Sequence, residues 1–230
     1  MTPTAPRSRR GLLAPALAVL HLLACGFTAP EMSLQHVISD PAFVEIKDGP
    51  AIRLDLRYAT TNNFTHTDLY GGFARTFLRR EAAAKFADAQ AILRREHPGW
   101  KFLIWDALRP RSVQREFWKR VVGTPQEKYV ANPDPGSIHN FGLAIDLTLI
   151  DAHGAPLDMG TDFDDFSKAA EPLAEQDLLK SGRLTAAQLA NRMILRDIMT
   201  RAGFIQLPEE WWHYDAFPAA IAKTRFAIVE

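Results

Sequence analysis

The chain has 230 residues, 47% hydrophobic and 23% charged, a balance that suits one folded domain, or at most two, with a sizeable core, and excludes disorder as the default. Its 27 basic and 27 acidic residues cancel, which argues against the electropositive surface of a nucleic-acid-binding protein and for a small or neutral ligand.

The first 29 residues differ from the rest. Arg7, Arg9 and Arg10 form a basic start, Gly11 to Ala24 is largely apolar, and no acidic residue precedes Glu31. This is the three-part pattern of a secretory signal, and its apolar run is too short to span a bilayer comfortably. Residues 1–29 are therefore expected to direct export to the periplasm. The only cysteine lies in Leu22-Leu23-Ala24-Cys25-Gly26, which resembles the lipobox of bacterial lipoproteins. In that pattern the cysteine becomes the lipidated first residue and anchors the mature chain to the membrane. The alternative is cleavage near Ala29, with Cys25 incidental. Either way the mature chain has no disulfide, and loss of the three arginines leaves it slightly acidic.

Along the mature chain, Ile52, Leu54, Leu56 and Tyr58 alternate with Arg53, Asp55 and Arg57, the period of two of a half-buried strand. A polar loop, Ala59 to Thr65, follows. Arg80 to about Glu96 reads as a helix with Phe86, Ala89 and Leu93 on one face, stopped by His97-Pro98-Gly99. Lys101 to Trp105 has strand character. Ser112 is expected to cap a helix burying Val113, Phe117 and Val121 and ending near Gly123. Residues 124–138 are rich in proline and turn-formers and form a loop. Leu143 to Ile150 is a strand, and the acidic stretch Asp158 to Asp165 is a loop. Thr185 with Gln188 makes a capping box for a helix burying Leu195, Ile198, Met199 and Ala202 and closed by Gly203. A last strand-like segment starts at Phe204 and runs toward Tyr214. Strands and helices mix without a regular βαβ rhythm. One α+β domain over residues 31–230, with a mainly antiparallel central sheet flanked by helices, is therefore expected.

The segment Ser137-Ile138-His139-Asn140-Phe141-Gly142-Leu143-Ala144-Ile145-Asp146 sets an imidazole and a carboxylate seven residues apart. With 7 His and 16 Asp in the chain, about half a match to His-x6-Asp is expected by chance, so spacing alone carries little. Context carries more. Ala144 and Thr148, on the same face as Asp146, are small, and a buried carboxylate needs a partner, either a metal ion or an arginine. Taken alone, His139 reads better as a structural hydrogen-bonding residue than as a ligand, and a third ligand is what would change that. Glu210-Trp211-Trp212-His213 supplies a third ligand candidate in His213, leaving Glu210 as a base for a metal-activated water. In a regular strand residues 210 and 213 face opposite ways, so a bend at the tryptophans is expected.

These residues carry a resemblance. Ser-x-His-x-x-Gly-x-Ala-x-Asp (Ser137 to Asp146) followed by Glu-x-x-His (Glu210 to His213) is similar to the zinc D-alanyl-D-alanine dipeptidase family, within the wider hedgehog-like zinc D,D-peptidases. Leu56-Arg57-Tyr58-Ala59-Thr60 with Asn63-Phe64-Thr65, Trp105 to Pro110, and Met159-Gly160 with Phe163-Asp164 resemble further family blocks, in family order from about residue 42 to 216. The resemblance implies one Zn2+ per chain on His139, Asp146 and His213, Glu210 as catalytic acid/base, and Arg109 as the cation that steadies the oxyanion. It also places Tyr58, Ser137 and Asp164 near a small D,D-dipeptide, with Asp164 as anchor for the free ammonium. No nucleic acid or protein partner is implied. His66 stands where the family commonly has Gly, and Asn140-Phe141 where smaller or basic residues are frequent; both are expected at the pocket edge. His36, His97 and His153 fall outside the matched blocks. D,D-carboxypeptidase activity on peptidoglycan stems, or a non-catalytic zinc-containing envelope module, are the alternatives.

Overall fold

The computed structural model describes residues 1–2 and 32–230, so residues 3–29 of the expected signal, Cys25 among them, lie outside the described residues. In chain order the elements are α1 (Leu34–Ser39), β1 (Phe43–Ile46), β2 (Ile52–Leu54), β3 (Thr76–Arg79), α2 (Arg80–Glu96), β4 (Lys101–Asp106), α3 (Arg111–Val121), β5 (Ala144–Ile150), α4 (Glu175–Lys180), α5 (Ala186–Arg201), β6 (Ile205–Gln206), β7 (His213–Asp215) and α6 (Ala219–Arg225). The main sheet has the order β2-β4-β5-β7-β6. β2 runs parallel to β4, and the remaining pairs are antiparallel. β1 and β3 make a separate antiparallel pair. The fold is α+β with a mainly antiparallel sheet. No described helix is long and apolar enough to cross a membrane.

β5 is the centre of the molecule. All seven of its residues are buried, between β4 on one side and β7 on the other. α2 lays Ala82, Phe86, Ala89 and Leu93 into the same core, and the Phe86 ring meets Phe102 of β4 at 5.2 Å between centroids. Burying such a side chain contributes about 1.5–3 kcal/mol. α5 begins at the expected capping box: Thr185 Oγ1 accepts from the Gln188 N–H at 3.2 Å, and Gln188 Oε1 accepts from the Thr185 N–H at 2.9 Å.

Three expectations change at their edges. The first strand stops at Leu54, and Arg57–Ala59 forms a 3-10 turn. The Tyr58 carbonyl is taken by the N–H groups of Leu69 and Tyr70 at 2.9 and 3.1 Å, which draws this segment out of the sheet toward the loop while keeping Leu56 and Tyr58 buried. Ser112 does not cap α3. The helix starts two residues earlier, at Arg111 behind Pro110, whose φ of −57° is already set for entry and whose carbonyl accepts from the N–H groups of Val113 and Gln114. The segment after Phe204 is two short strands, β6 and β7, with residues 207–212 turning between them, so the bend expected at the tryptophans is present.

Gly142 ends the 3-10 turn Ile138–Phe141 at φ +68°, and a Cβ there would sit 3.0 Å from the Phe43 ring and 3.3 Å from the Arg79 nitrogen. Gly142→Ala is expected to cost about 1–3 kcal/mol and lower Tm by roughly 2–12 °C, measured by thermal denaturation; an unchanged Tm would contradict the tight turn.

Candidate active site

Backbone pairing aligns the polar residues of the sheet. Asp106 on β4 lies opposite Asp146 on β5, across a register shift, and Asp146 lies opposite His213 on β7. The 3-10 turn brings His139 to the same point. His139 Nε2, His213 Nδ1 and the Asp146 carboxylate are mutual neighbours: 3.1 Å between the two nitrogens, 3.3 Å from His139 to Asp146 Oδ2 and 3.0 Å from His213 to Asp146 Oδ1. Three atoms bound at about 2.0–2.1 Å to a tetrahedral ion stand roughly 3.3 Å apart, so the cluster has the dimensions of a metal site.

The other nitrogen of each ring is engaged. His139 Nδ1 donates to the Ala107 carbonyl at 2.6 Å, which fixes the tautomer, and His213 Nε2 meets Asp215 Oδ1 at 2.8 Å. Metal-ligating histidines are held in this way through their outer nitrogen. The inner nitrogens are left facing each other and a carboxylate, an arrangement that draws in positive charge. Burial alone would depress the His213 pKa, but Asp215 and Asp146 outweigh it and raise it well above the ordinary imidazole value. Burial would likewise raise Asp146, but His139 and His213 hold it below the usual carboxylate range.

Glu210 stands beside this cluster, its Oε2 3.9 Å from His213 Nδ1, and burial pushes its carboxyl up to about 8. Arg109 is buried on the opposite side. Its Nε donates to Asp106 Oδ2 at 2.8 Å, Nη1 to Gln114 Oε1 at 2.9 Å and Nη2 to Asp146 Oδ2 at 3.3 Å. Its guanidinium carbon lies 5.1 Å from the Tyr58 ring centre and 4.7 Å from that of Phe117. Burial works against its charge, yet the Asp106 and Asp146 carboxylates outweigh that and keep it cationic.

Asp164 is half-buried, at φ +60°, and its carboxyl group is turned inward onto Tyr58 and Phe64. It accepts from the Tyr58 hydroxyl at 2.8 Å and from the Phe64 N–H at 3.3 Å, both neutral donors. Burial pushes this carboxyl up to about 7. Burial also raises the Tyr58 phenol, so it stays protonated and donating. Ser137, buried at the start of the 3-10 turn, donates its N–H to Asn140 Oδ1 at 2.8 Å. All eight residues singled out in the sequence line one cavity of about 220 Å³. That is smaller than the roughly 300–1,000 Å³ of pockets for drug-sized molecules. His36, His97 and His153 do not line it.

Several residues of the site carry no role in the sequence patterns. Asp106 orients Arg109 and also accepts from the Tyr70 hydroxyl at 2.6 Å. Asp215 could be found from its period-two spacing to His213, whereas nothing in the sequence points to Gln114. Asn140 is not at the pocket edge. It is fully buried and donates to the Arg109 carbonyl at 2.8 Å, tying the histidine turn to the arginine segment. His66 lies at the rim of a neighbouring cavity shared with Phe64 and Asp164, and its φ of +53° is one that glycine adopts freely.

Comparison with known proteins agrees with this geometry. A family model described as D-ala-D-ala dipeptidase matches residues 43–229. The D-alanyl-D-alanine dipeptidase of Escherichia coli is 34% identical over 171 residues, covering 74% of this chain and 82% of the relative. That of Streptomyces coelicolor is 32% identical over 192 residues, 76% of this chain and 90% of the relative. That of Enterococcus faecalis is 29% identical over 192 residues, 76% of this chain and 91% of the relative. The matched span takes in every residue of the cavity, and the chain belongs to the D-ala-D-ala dipeptidase family of metallopeptidases.

Proposed function

We propose that the protein is an exported, zinc-dependent dipeptidase that hydrolyses D-Ala-D-Ala or a close D,D-dipeptide to free D-amino acids. The observation that carries this is the convergence of His139 Nε2, His213 Nδ1 and Asp146 on one point, each imidazole already held through its outer nitrogen, with Glu210 and Arg109 on the same cavity. A donor set of two imidazoles and a carboxylate suits zinc with a fourth position left for water or substrate. When bound, zinc supplies a Lewis acid for the scissile carbonyl and lowers the pKa of the attacking water.

The chain's own residues do the rest. Glu210 takes the proton of the attacking water on a carboxyl oxygen and then hands it to the leaving amine nitrogen, a double duty that its raised pKa suits. Arg109 is anchored through Nε and Nη1, so Nη2, its longest and weakest bond, is the arm that opposes the developing oxyanion. Asp164, an enclosed carboxyl with neutral hydrogen-bond donors, pairs with the substrate ammonium. Tyr58 holds Asp164 in place, and Ser137 lines the cavity beside the ligand cluster. The ammonium anchor favours a free dipeptide over a stem-peptide terminus, where that amine is acylated. The basic, then apolar, leader and Cys25 support delivery of domain 31–230 to the periplasm and a lipid anchor there, where peptidoglycan turnover supplies D,D-peptides.

Glu210→Gln is expected to bind zinc one to one, by metal analysis, and to lose about 10²- to 10⁴-fold in kcat. Near-normal turnover in the zinc-loaded variant would remove Glu210 from the mechanism. Asp164→Asn gives a double readout. A folded pKa of about 7 against an ordinary 3.8 means folding takes up a proton, so the stability from the protonated form is full below pH 3.8 and lost as pH rises through 7. Asn, which tolerates φ +60°, is therefore expected to raise Tm at pH 8, with the gain shrinking toward pH 4, while KM at pH 8 rises roughly 10- to 100-fold. A variant less stable than the parent at pH 8 would contradict the buried, uncompensated carboxylate. Fatty-acid labelling of the expressed full chain is expected to be lost in Cys25→Ser; equal labelling of both would overturn the anchor.

A further inference from the structure

The loop that presents Asp164 has little regular structure of its own. Between Met159 and Ala169 only its last residues enter a 3-10 turn, so its backbone groups must find partners elsewhere. Two of them are met by one side chain. Arg192, on α5 and 1% exposed, donates from Nε to the Met159 carbonyl at 2.6 Å and from Nη2 to the Ala169 carbonyl at 3.0 Å, bracketing the loop at both ends. The same guanidinium lies 5.6 Å from the ring centre of Trp211, the residue after Glu210. Trp211 itself grips the loop, donating its N–H to the Ala170 carbonyl at 3.1 Å and its Nε1–H to Thr161 Oγ1 at 2.7 Å.

One turn along α5, Arg196 adds a parallel connection. Its Nη2 donates to both oxygens of buried Glu175 at 2.6 and 2.7 Å and its Nε to Gln206 Oε1; Gln206 Nε2 in turn donates to the Trp211 carbonyl at 2.9 Å. Arg192 Nη1 lies 3.6 Å from Glu175 Oε1 and has no hydrogen-bond partner among the described residues. An enclosed guanidinium with one nitrogen held only by a 3.6 Å ion pair is an expensive way to fill core space. Its two-pronged hold on opposite ends of one loop is what an apolar residue could not supply.

We infer that Arg192 is a positioning residue, which fixes the Asp164 loop against the Glu210-Trp211 segment and so sets the spacing between the ammonium anchor and the reacting bond. Asp164 sits in a left-handed backbone conformation and holds an enclosed carboxyl group, two unfavourable features that persist only while the loop is over-determined. Without Arg192 the loop relaxes and the carboxylate turns toward water. The Glu210 segment keeps the Gln206 bond to the Trp211 carbonyl and the β6–β7 pairing, so the loss falls on substrate binding.

This inference rests on Asp164 being the ammonium anchor of the proposed dipeptidase, and a double-mutant cycle in the zinc-loaded full chain tests it. Arg192→Met is expected to raise KM for D-Ala-D-Ala roughly tenfold or more, Arg192→Lys less, with kcat within about threefold. In an Asp164→Asn background the same substitutions are expected to change KM less than about twofold, because the group they position is gone. Thr161→Val, at a partly exposed position that does not endanger folding, removes only the Trp211 tie. It is expected to raise KM about two- to fivefold in the parent and not in the Asp164→Asn background. Equal effects in both backgrounds, or kcat falling as far as KM rises, would overturn the inference, and Arg192→Lys, which keeps the charge but not the two-pronged hold, decides alone if Arg192→Met does not fold. A parent protein without activity on D-Ala-D-Ala would instead overturn the dipeptidase assignment, and this inference with it.

Discussion

Asp146 is a carboxylate on a strand buried along its whole length, and the site is built around keeping its charge compensated. An unpaired ion in that position costs several kcal/mol. The protein surrounds it with His213 from the next strand, His139 from the turn that leads into β5, and Arg109 from the segment after β4. Each partner is held from behind in turn: His213 by Asp215, His139 by the Ala107 carbonyl, Arg109 by Asp106 and Gln114. The outer bonds fix the rings and the guanidinium before any ligand arrives. What is left facing inward is a set of lone pairs spaced for a tetrahedral cation.

The second carboxylate is treated in the opposite way. Asp164 receives only neutral donors, and burial raises its pKa to about 7, so the free protein holds this carboxyl protonated below neutral pH and carries a poorly compensated charge there only above it. In the proposed mechanism this local instability is kept for a substrate that brings its own cation. The contrast explains how one small cavity holds Asp146, Asp164 and Glu210 with three different duties. Asp146 stays ionised among cations, Asp164 awaits a cation, and Glu210 is poised to gain and lose a proton. The environment of each follows from the element that carries it: a central strand, a braced loop and the turn between β6 and β7.

Much of this was legible in the residues. The helix over 80–96 and the capping box at Thr185 are local signals, settled by periodicity and by side chains three residues apart. The strand after Gly142 was visible as an apolar run, and the required bend at Trp211-Trp212 followed from the wish to bring Glu210 and His213 to one side. The shortened first strand was not visible, because Leu56 and Tyr58 keep a strand's alternation while the Tyr58 carbonyl bonds to Leu69 and Tyr70, eleven and twelve positions on. Nor was the role of Asn140, since its two bonds reach Ser137 and Arg109, and a contact across thirty-one residues leaves no local pattern. The same holds for Gln114 and Arg192, which look like ordinary polar positions on helices and are buried by tertiary structure alone.

The central claim is that three buried side chains hold a zinc ion that serves hydrolysis of a D,D-dipeptide. The most direct measurement is release of free D-alanine from D-Ala-D-Ala by the purified protein, before and after a chelator and again after zinc is returned. Release that stops with the chelator and recovers with zinc is the predicted result. Undiminished release from metal-free protein, or none from protein carrying one zinc per chain, would contradict it.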